Sequence, residues 1–282
     1  MSIPVSELLK LSITLLATKR SMLASTKQDL ETIVVGSSHG DYGFDPIFLK
    51  NSFNLCCRSQ DLKHSFFLYK HVCETAPTLK NLVIFYSLFS SGSLLEKSPS
   101  EQDICPALNG LFDLRLHYKN NNLNHLSLNI REQIKGPVTD VEGYRGFFPK
   151  AGKGFIADDY GVQLRANEHL KLNASQAALP FLSKMLARAG KHNHKVYIVI
   201  PPVREDFKNA VGMTFDQAFK ELLKLIEQSK MKERIQVFNF YDDDAFKAAH
   251  FGDFDHLHPL GEGTAHLGRS LALAINPPSS TT

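Results

Sequence analysis

Five short, almost unbroken apolar runs limit what this 282-residue chain can fold into; they lie at 32–36, 52–57, 79–87, 195–202 and 235–240. A strand with one wet face alternates apolar and polar residues, whereas a strand buried on both faces does not. Helical patterns stand between the runs, at 61–73 (with Leu62, Phe66, Phe67 and Tyr69 apolar), 174–189 and 214–230. Strands alternating with helices predict βαβ units and a mostly parallel sheet. Right-handed crossovers then make the fold a three-layer α/β/α sandwich.

The expected organisation is one domain over 1–276, opened by an amphipathic helix at about 5–17 and a polar stretch at 18–29. A disordered tail is expected at 277–282. The segment at about 90–173 breaks the strand–helix rhythm and reads as an inserted cap over the carboxyl edge of the sheet, where loops form binding sites. It holds a helical pattern at 107–118 and a glycine-rich part at 143–154. Its aromatics Tyr144, Phe147, Phe148 and Tyr160 argue for packing and against a disordered linker. Arg145, Lys150 and Lys153 in it read as a solvated face, with phosphate or carboxylate binding as the alternative.

A net charge of +3, with no dense Lys/Arg stripe, is too small to imply nucleic-acid binding, and no nucleic-acid partner is expected. The four cysteines form no CxxC pair and no zinc spacing, which favours a reducing compartment. The apolar segment at 6–16 carries Lys10, lacks a small-residue cleavage site and is too short to span a bilayer. It reads as a helix packed on the domain, with weak membrane-surface association as the alternative, and a cytoplasmic location is expected.

Two motifs carry chemistry. Thr-Ile-Val-Val-Gly-Ser-Ser-His-Gly at 32–40 is a buried strand that breaks into a turn with two serines. Asp-His-Leu-His-Pro-Leu-Gly at 255–261 places Asp255 three residues before His258. A serine nucleophile needs a base, and the base needs an orienting carboxylate. Only a fold that joins the two ends assembles that set. The neighbouring Asp253, Asp255, His256 and His258 also suit a metal ion, so a metal-dependent hydrolase is an alternative.

Gly36-Ser37-Ser38 after a first strand, with Asp255-x-x-His258-Pro259 before a last helix, resembles the SGNH (GDSL-type) hydrolase superfamily. The resemblance covers the strand–helix framework and leaves the insertion outside. It implies Ser38 as nucleophile, His258 as base and Asp255 as its partner. The Gly-Ser-Ser variant is similar to members that modify cell-envelope polysaccharides, many of them by acyl transfer. Asn54-Leu-Cys-Cys-Arg-Ser59 aligns with the family's second block, which implies an oxyanion role for the Cys56 amide. The asparagine block expected after the third strand is replaced by Ser87-Leu-Phe-Ser-Ser-Gly92. Ser87, Ser90 and Asn54 are candidate substitutes for the lost donor, and Ser59 and Gln60 are candidate substrate contacts.

The expected function is therefore O-acetyl transfer to an envelope or capsular carbohydrate. No bound cofactor is expected, and acetyl-CoA is the candidate donor substrate. A carbohydrate O-acetyl esterase of the same fold and a non-catalytic carbohydrate-binding protein are the further alternatives.

Overall fold

A computed structural model describes residues 7–134, 143–149 and 161–277. The strands are β1 (Thr32–Val35), β2 (Ser52–Asn54), β3 (Asn81–Phe85), β4 (Lys195–Ile200) and β5 (Ile235–Asn239). They form one sheet in the order β2-β1-β3-β4-β5, and every pairing is parallel. All five apolar runs became strands because their side chains enter cores on both faces. Ile33, Val35, Leu82, Ile84, Val196 and Ile198 face one cluster, while Val34, Val83, Phe85, Tyr197 and Val199 face the other.

The helices are α1 (Glu7–Thr26), α2 (Ser38–Gly43), α3 (Leu62–Thr75), α4 (Ile104–Leu111), α5 (Asn121–Gln133), α6 (Val162–Ser175), α7 (Leu179–Lys191), α8 (Glu205–Val211), α9 (Phe215–Ala218), α10 (Lys220–Glu227) and α11 (Glu262–Ile275). The larger cluster lies under α3 and α7, and the smaller under α11, which completes three layers. Among the described residues no helix is long and apolar enough to cross a membrane. The four cysteines are free thiols.

Several expected boundaries move. The first helix continues past 17 to Thr26, so part of the expected polar stretch is helical and Thr18 and Lys19 are buried. Thr18 and Thr26 return their hydroxyls to the carbonyls of Thr14 and Met22, which lets polar residues sit inside a helix. Lys19 pairs with Asp41 on α2 at 2.6 Å and donates to the Cys56 carbonyl, so α1 is tied to the helix that opens at Ser38.

The helix expected at 107–118 is α4, which stops at Leu111 because Asp113 and Arg115 take φ of 47° and 56°. The Asn109 side chain then holds both backbone groups of Leu116, each at 2.9 Å. The pattern at 174–189 divides between the end of α6 and α7, since Gln176 takes φ 52°. The pattern at 214–230 divides at Phe219 into α9 and α10.

Only part of the insertion caps the carboxyl edge. The α4–α5 pair packs beside α1, whereas α6 packs on α8. Asn173 fixes α6 there, donating at 2.9 Å to the carbonyls of Leu88 and Ala218. Tyr144 and Phe147 form a short bridge, and the Arg145 carbonyl accepts the Asn54 N–H at 2.9 Å, so this turn docks on the outer strand. The Arg145 guanidinium pairs with Asp29, which corrects both expectations for that side chain. Lys150, Lys153, Tyr160 and the expected tail from 278 onward lie outside the described residues.

Candidate active site

β1 and β3 are neighbours whose connections leave in opposite directions along the sheet, and the crevice at their carboxyl ends is where such sheets bind ligands. The first motif turns there. Gly36 takes φ +148°, and a Cβ on it would lie 2.7 Å from Phe85 Cβ and 2.8 Å from the Phe85 carbonyl oxygen. Only glycine lets β1 turn this close to β3. Gln60 secures the turn: with its amide oriented to satisfy both neighbours, its oxygen accepts the Gly36 N–H and its nitrogen donates to the Leu55 carbonyl, each at 3.2 Å. Ser37 caps α2, its carbonyl accepting the N–H groups of Gly40 and Asp41 at 3.0 and 3.1 Å. Ser38 is the first helical residue, so its N–H and that of His39 have no intrahelical acceptor.

The second motif is a tight loop before α11. Phe251 and Leu257 pair in antiparallel fashion, and the Gly252 N–H reaches the His256 carbonyl at 2.9 Å. Inside it, Asp253 Oδ1 accepts the backbone N–H groups of Asp255 and His256 at 3.0 and 2.7 Å. The same carboxylate meets His256 Nδ1 at 3.0 and 2.9 Å. His256 Nε2 then lies 2.7 Å from Ser38 Oγ. The serine, imidazole and carboxylate stand in the order a nucleophile, a base and an orienting group require.

This geometry corrects the expected assignment of His258 and Asp255. The spacing Asp-x-x-His occurs twice in 253–258, and the first copy faces the serine. Two loop amides fix the Asp253 carboxylate, which aims residue 256 across the crevice. His258 is exposed at the approach to α11, where its Nδ1 accepts the Leu260 N–H at 3.3 Å. The four-residue metal set is not brought together either. With His258 outside, the residues among those described whose ligand atoms lie within 4.8 Å of one another are His39, Asp255 and His256.

Asp255 is 1% exposed, and no backbone amide donates to either of its side-chain oxygens. Three imidazoles surround it: His256 Nδ1 at 3.1 Å, His39 Nε2 at 3.7 Å and His169 Nε2 at 3.8 Å. His39 stacks on His256 at 4.6 Å between ring centres, and its Nδ1 lies 2.9 Å from Ser87 Oγ and 3.2 Å from Ser37 Oγ. His169 comes from α6 and packs between the rings of Phe89 and Phe207.

Burial works against the charged form of each of these groups. It lowers His39, despite the Asp255 carboxylate, and takes His169 down to about 3. Burial opposes a charge on His256 too, but Asp255 and Asp253 outweigh it and push the imidazole up to about 10. Burial would likewise raise Asp255, yet the facing His256 and His39 hold its carboxyl well below the usual range.

The predicted oxyanion and substrate residues have other duties. The Cys56 N–H donates to Asn54 Oδ1 at 3.0 Å, and Asn54 Nδ2 donates to the Gly40 and Phe44 carbonyls at 2.8 Å each. Both residues therefore brace the turn and α2, which corrects their assignment as oxyanion donors. Ser59, at φ 59°, turns its hydroxyl to Glu101 at 3.0 Å. Ser90 Oγ accepts the Ser87 N–H at 2.8 Å, so Ser87 reaches the site through His39 and Ser90 supports it. Of the six, Ser87 touches His39, Asn54, Cys56 and Gln60 brace the turn, Ser90 holds Ser87, and Ser59 faces Glu101.

Sequence reasoning missed His39 and His169. His39 adjoins Ser38, a position that could have flagged it, whereas nothing marks His169 inside the insertion. No family model matches the chain, and no curated protein matches it.

Proposed function

We propose that this protein is a serine-dependent acyl-transfer enzyme of SGNH type that O-acetylates a carbohydrate. The observation that carries the reading is the line of contacts from Ser38 Oγ to His256 Nε2 at 2.7 Å and from His256 Nδ1 to Asp253 at 2.9 Å. In this reading the neutral His256 takes the Ser38 proton as Oγ bonds to the acyl carbon. The N–H groups that open α2 hold the oxyanion. When the tetrahedral centre collapses, the bond to the leaving group breaks and His256 returns the proton to it. An acceptor hydroxyl then loses its proton to His256 and attacks the acyl carbon; the bond to Oγ breaks and His256 returns the proton to Ser38. Acetyl-CoA is the proposed donor, a cytoplasmic thioester whose thiol leaves readily.

The same machinery with water as acceptor is an O-acetyl esterase. Resemblance favours transfer, as does the lack of an asparagine donor after β3, since a weak oxyanion hole slows simple ester hydrolysis by roughly 10²–10³ per lost donor. Positioning of a large acceptor offsets such a loss.

The test is to incubate the protein with acetyl-CoA and acceptor oligosaccharides and read products by mass spectrometry, beside Ser38→Ala. Acetylated glycan formed by the wild type and absent with Ser38→Ala is expected. Deacetylation of acetylated glycan, without transfer to the unmodified one, leaves the esterase; labelling of neither form by a fluorophosphonate serine probe removes both.

A further inference from the structure

We propose that Asp255 is a positioning residue for the base: a second carboxylate on His256, enclosed by His39 and His169, that sets the pH at which His256 can act on Ser38. This inference rests on the triad reading. Asp253 alone is enough to orient the ring, because both its oxygens reach His256 Nδ1 and its Oδ1 is pinned by two backbone amides. A second carboxylate is therefore surplus to orientation. It is also costly, since a buried carboxylate that no backbone amide satisfies is strongly disfavoured unless a positive group answers it.

The groups that face Asp255 decide which one does. His39 and His169, at 3.7 and 3.8 Å, stand beyond direct hydrogen-bond distance. Burial drives both toward the neutral form, and Arg165 on α6 adds to that effect at His169. His256, at 3.1 Å, is the nearest of the three. From α2, His39 stacks on the His256 ring and Tyr42 meets it edge-on at 5.6 Å between ring centres. With two anions on one side and two neutral imidazoles nearby, the proton is held on His256. Because His169 lies on α6, the insertion supplies part of the enclosure and so takes part in tuning the base.

The experiment is an NMR titration of the His256 ring in the full chain, wild type and Asp255→Asn, with the pH profile of fluorophosphonate labelling recorded alongside. The wild-type ring is expected to titrate at least two pH units above the ordinary imidazole value near 6.5. Asp255→Asn should lower that midpoint by at least about one unit, a tenfold change, and move the rise in labelling rate to lower pH by the same amount. Retention of the Nδ1–H tautomer would show that Asp253 still orients the ring. A midpoint unmoved by Asp255→Asn overturns the inference. So does a wild-type midpoint near 6.5, which needs no variant and covers the case where Asp255→Asn fails to fold. The titration reports on Asp255 whether or not Ser38 reacts, whereas absence of labelling at every pH brings down the triad reading separately.

Discussion

Replacing His256 and His258 separately by glutamine has opposite expected outcomes. Glutamine at 256 retains reach toward Ser38 but has no basic nitrogen, so the proton on Oγ has nowhere to go. The contacts removed are those at 2.7 Å to Ser38 and at 2.9 and 3.0 Å to Asp253. Loss of the base in such a triad costs roughly 10⁴-fold or more in rate. Stability should fall too, because Asp255 loses its nearest positive partner; breaking a buried pair costs about 3–5 kcal/mol. The assay must therefore separate rate from folded fraction. Fluorophosphonate labelling of Ser38, at a folded concentration fixed by circular dichroism, does this. His258 is exposed, with its Nδ1 accepting the Leu260 N–H, so His258→Gln should label within about threefold of wild type and unfold within about 0.5 kcal/mol of it. A His258→Gln defect as deep as that of His256→Gln, or His256→Gln activity within tenfold of wild type, would refute the site geometry.

Two further outcomes follow from packing and charge. Gly40→Ala should destabilise by about 1–3 kcal/mol in urea unfolding, because the new Cβ meets Cys56 Sγ at 2.5 Å and the Phe85 ring at 2.9 Å. Gly43→Ala, whose Cβ meets nothing nearer than Leu257 at 3.7 Å, should instead be neutral or gain up to about 1 kcal/mol through helix propensity. Burial takes folded His169 down to about 3, while an unfolded imidazole titrates near 6.5. The unfolded chain therefore binds that proton first, and stability should fall as pH drops from 6.5 toward 3. His169→Gln should flatten the slope of urea midpoints over that window; an unchanged slope would show that His169 is not held neutral.

The fold was legible because burial on both faces leaves a plain mark. Runs such as Leu82-Val83-Ile84-Phe85 send alternate side chains into two separate cores, so no polar residue could interrupt them. What the chain hid were helix ends settled by single contacts. Lys19 reads as a solvent-facing residue in one dimension, yet Asp41 and the Cys56 carbonyl receive its charge inside the protein. Asp113 and Arg115 look compatible with a continuing helix, but Asn109 captures Leu116 and turns the backbone out of it. Such side-chain-to-backbone competition depends on tertiary position, which local pattern does not encode.

The site was half legible for a related reason. The turn at Gly36-Ser37-Ser38 is dictated locally, since only a residue without Cβ fits against Phe85. The acid–base partner was ambiguous, because Asp253-x-x-His256 and Asp255-x-x-His258 satisfy one spacing rule equally. What separates them is which carboxylate the loop amides pin. Asp253 accepts two of them and so becomes a fixed orienting group, whereas Asp255 accepts none and is turned inward among imidazoles. The role proposed for Asp255 is then electrostatic, and α6 adds His169 to its enclosure from a part of the chain with no sequence signature of its own. In the proposed triad, a charge held within the loop but walled on one side by α6 would let the insertion tune the base without altering either motif. Exchange of residues on the inner face of α6 should accordingly shift the pH profile of Ser38 labelling while leaving its plateau rate in place.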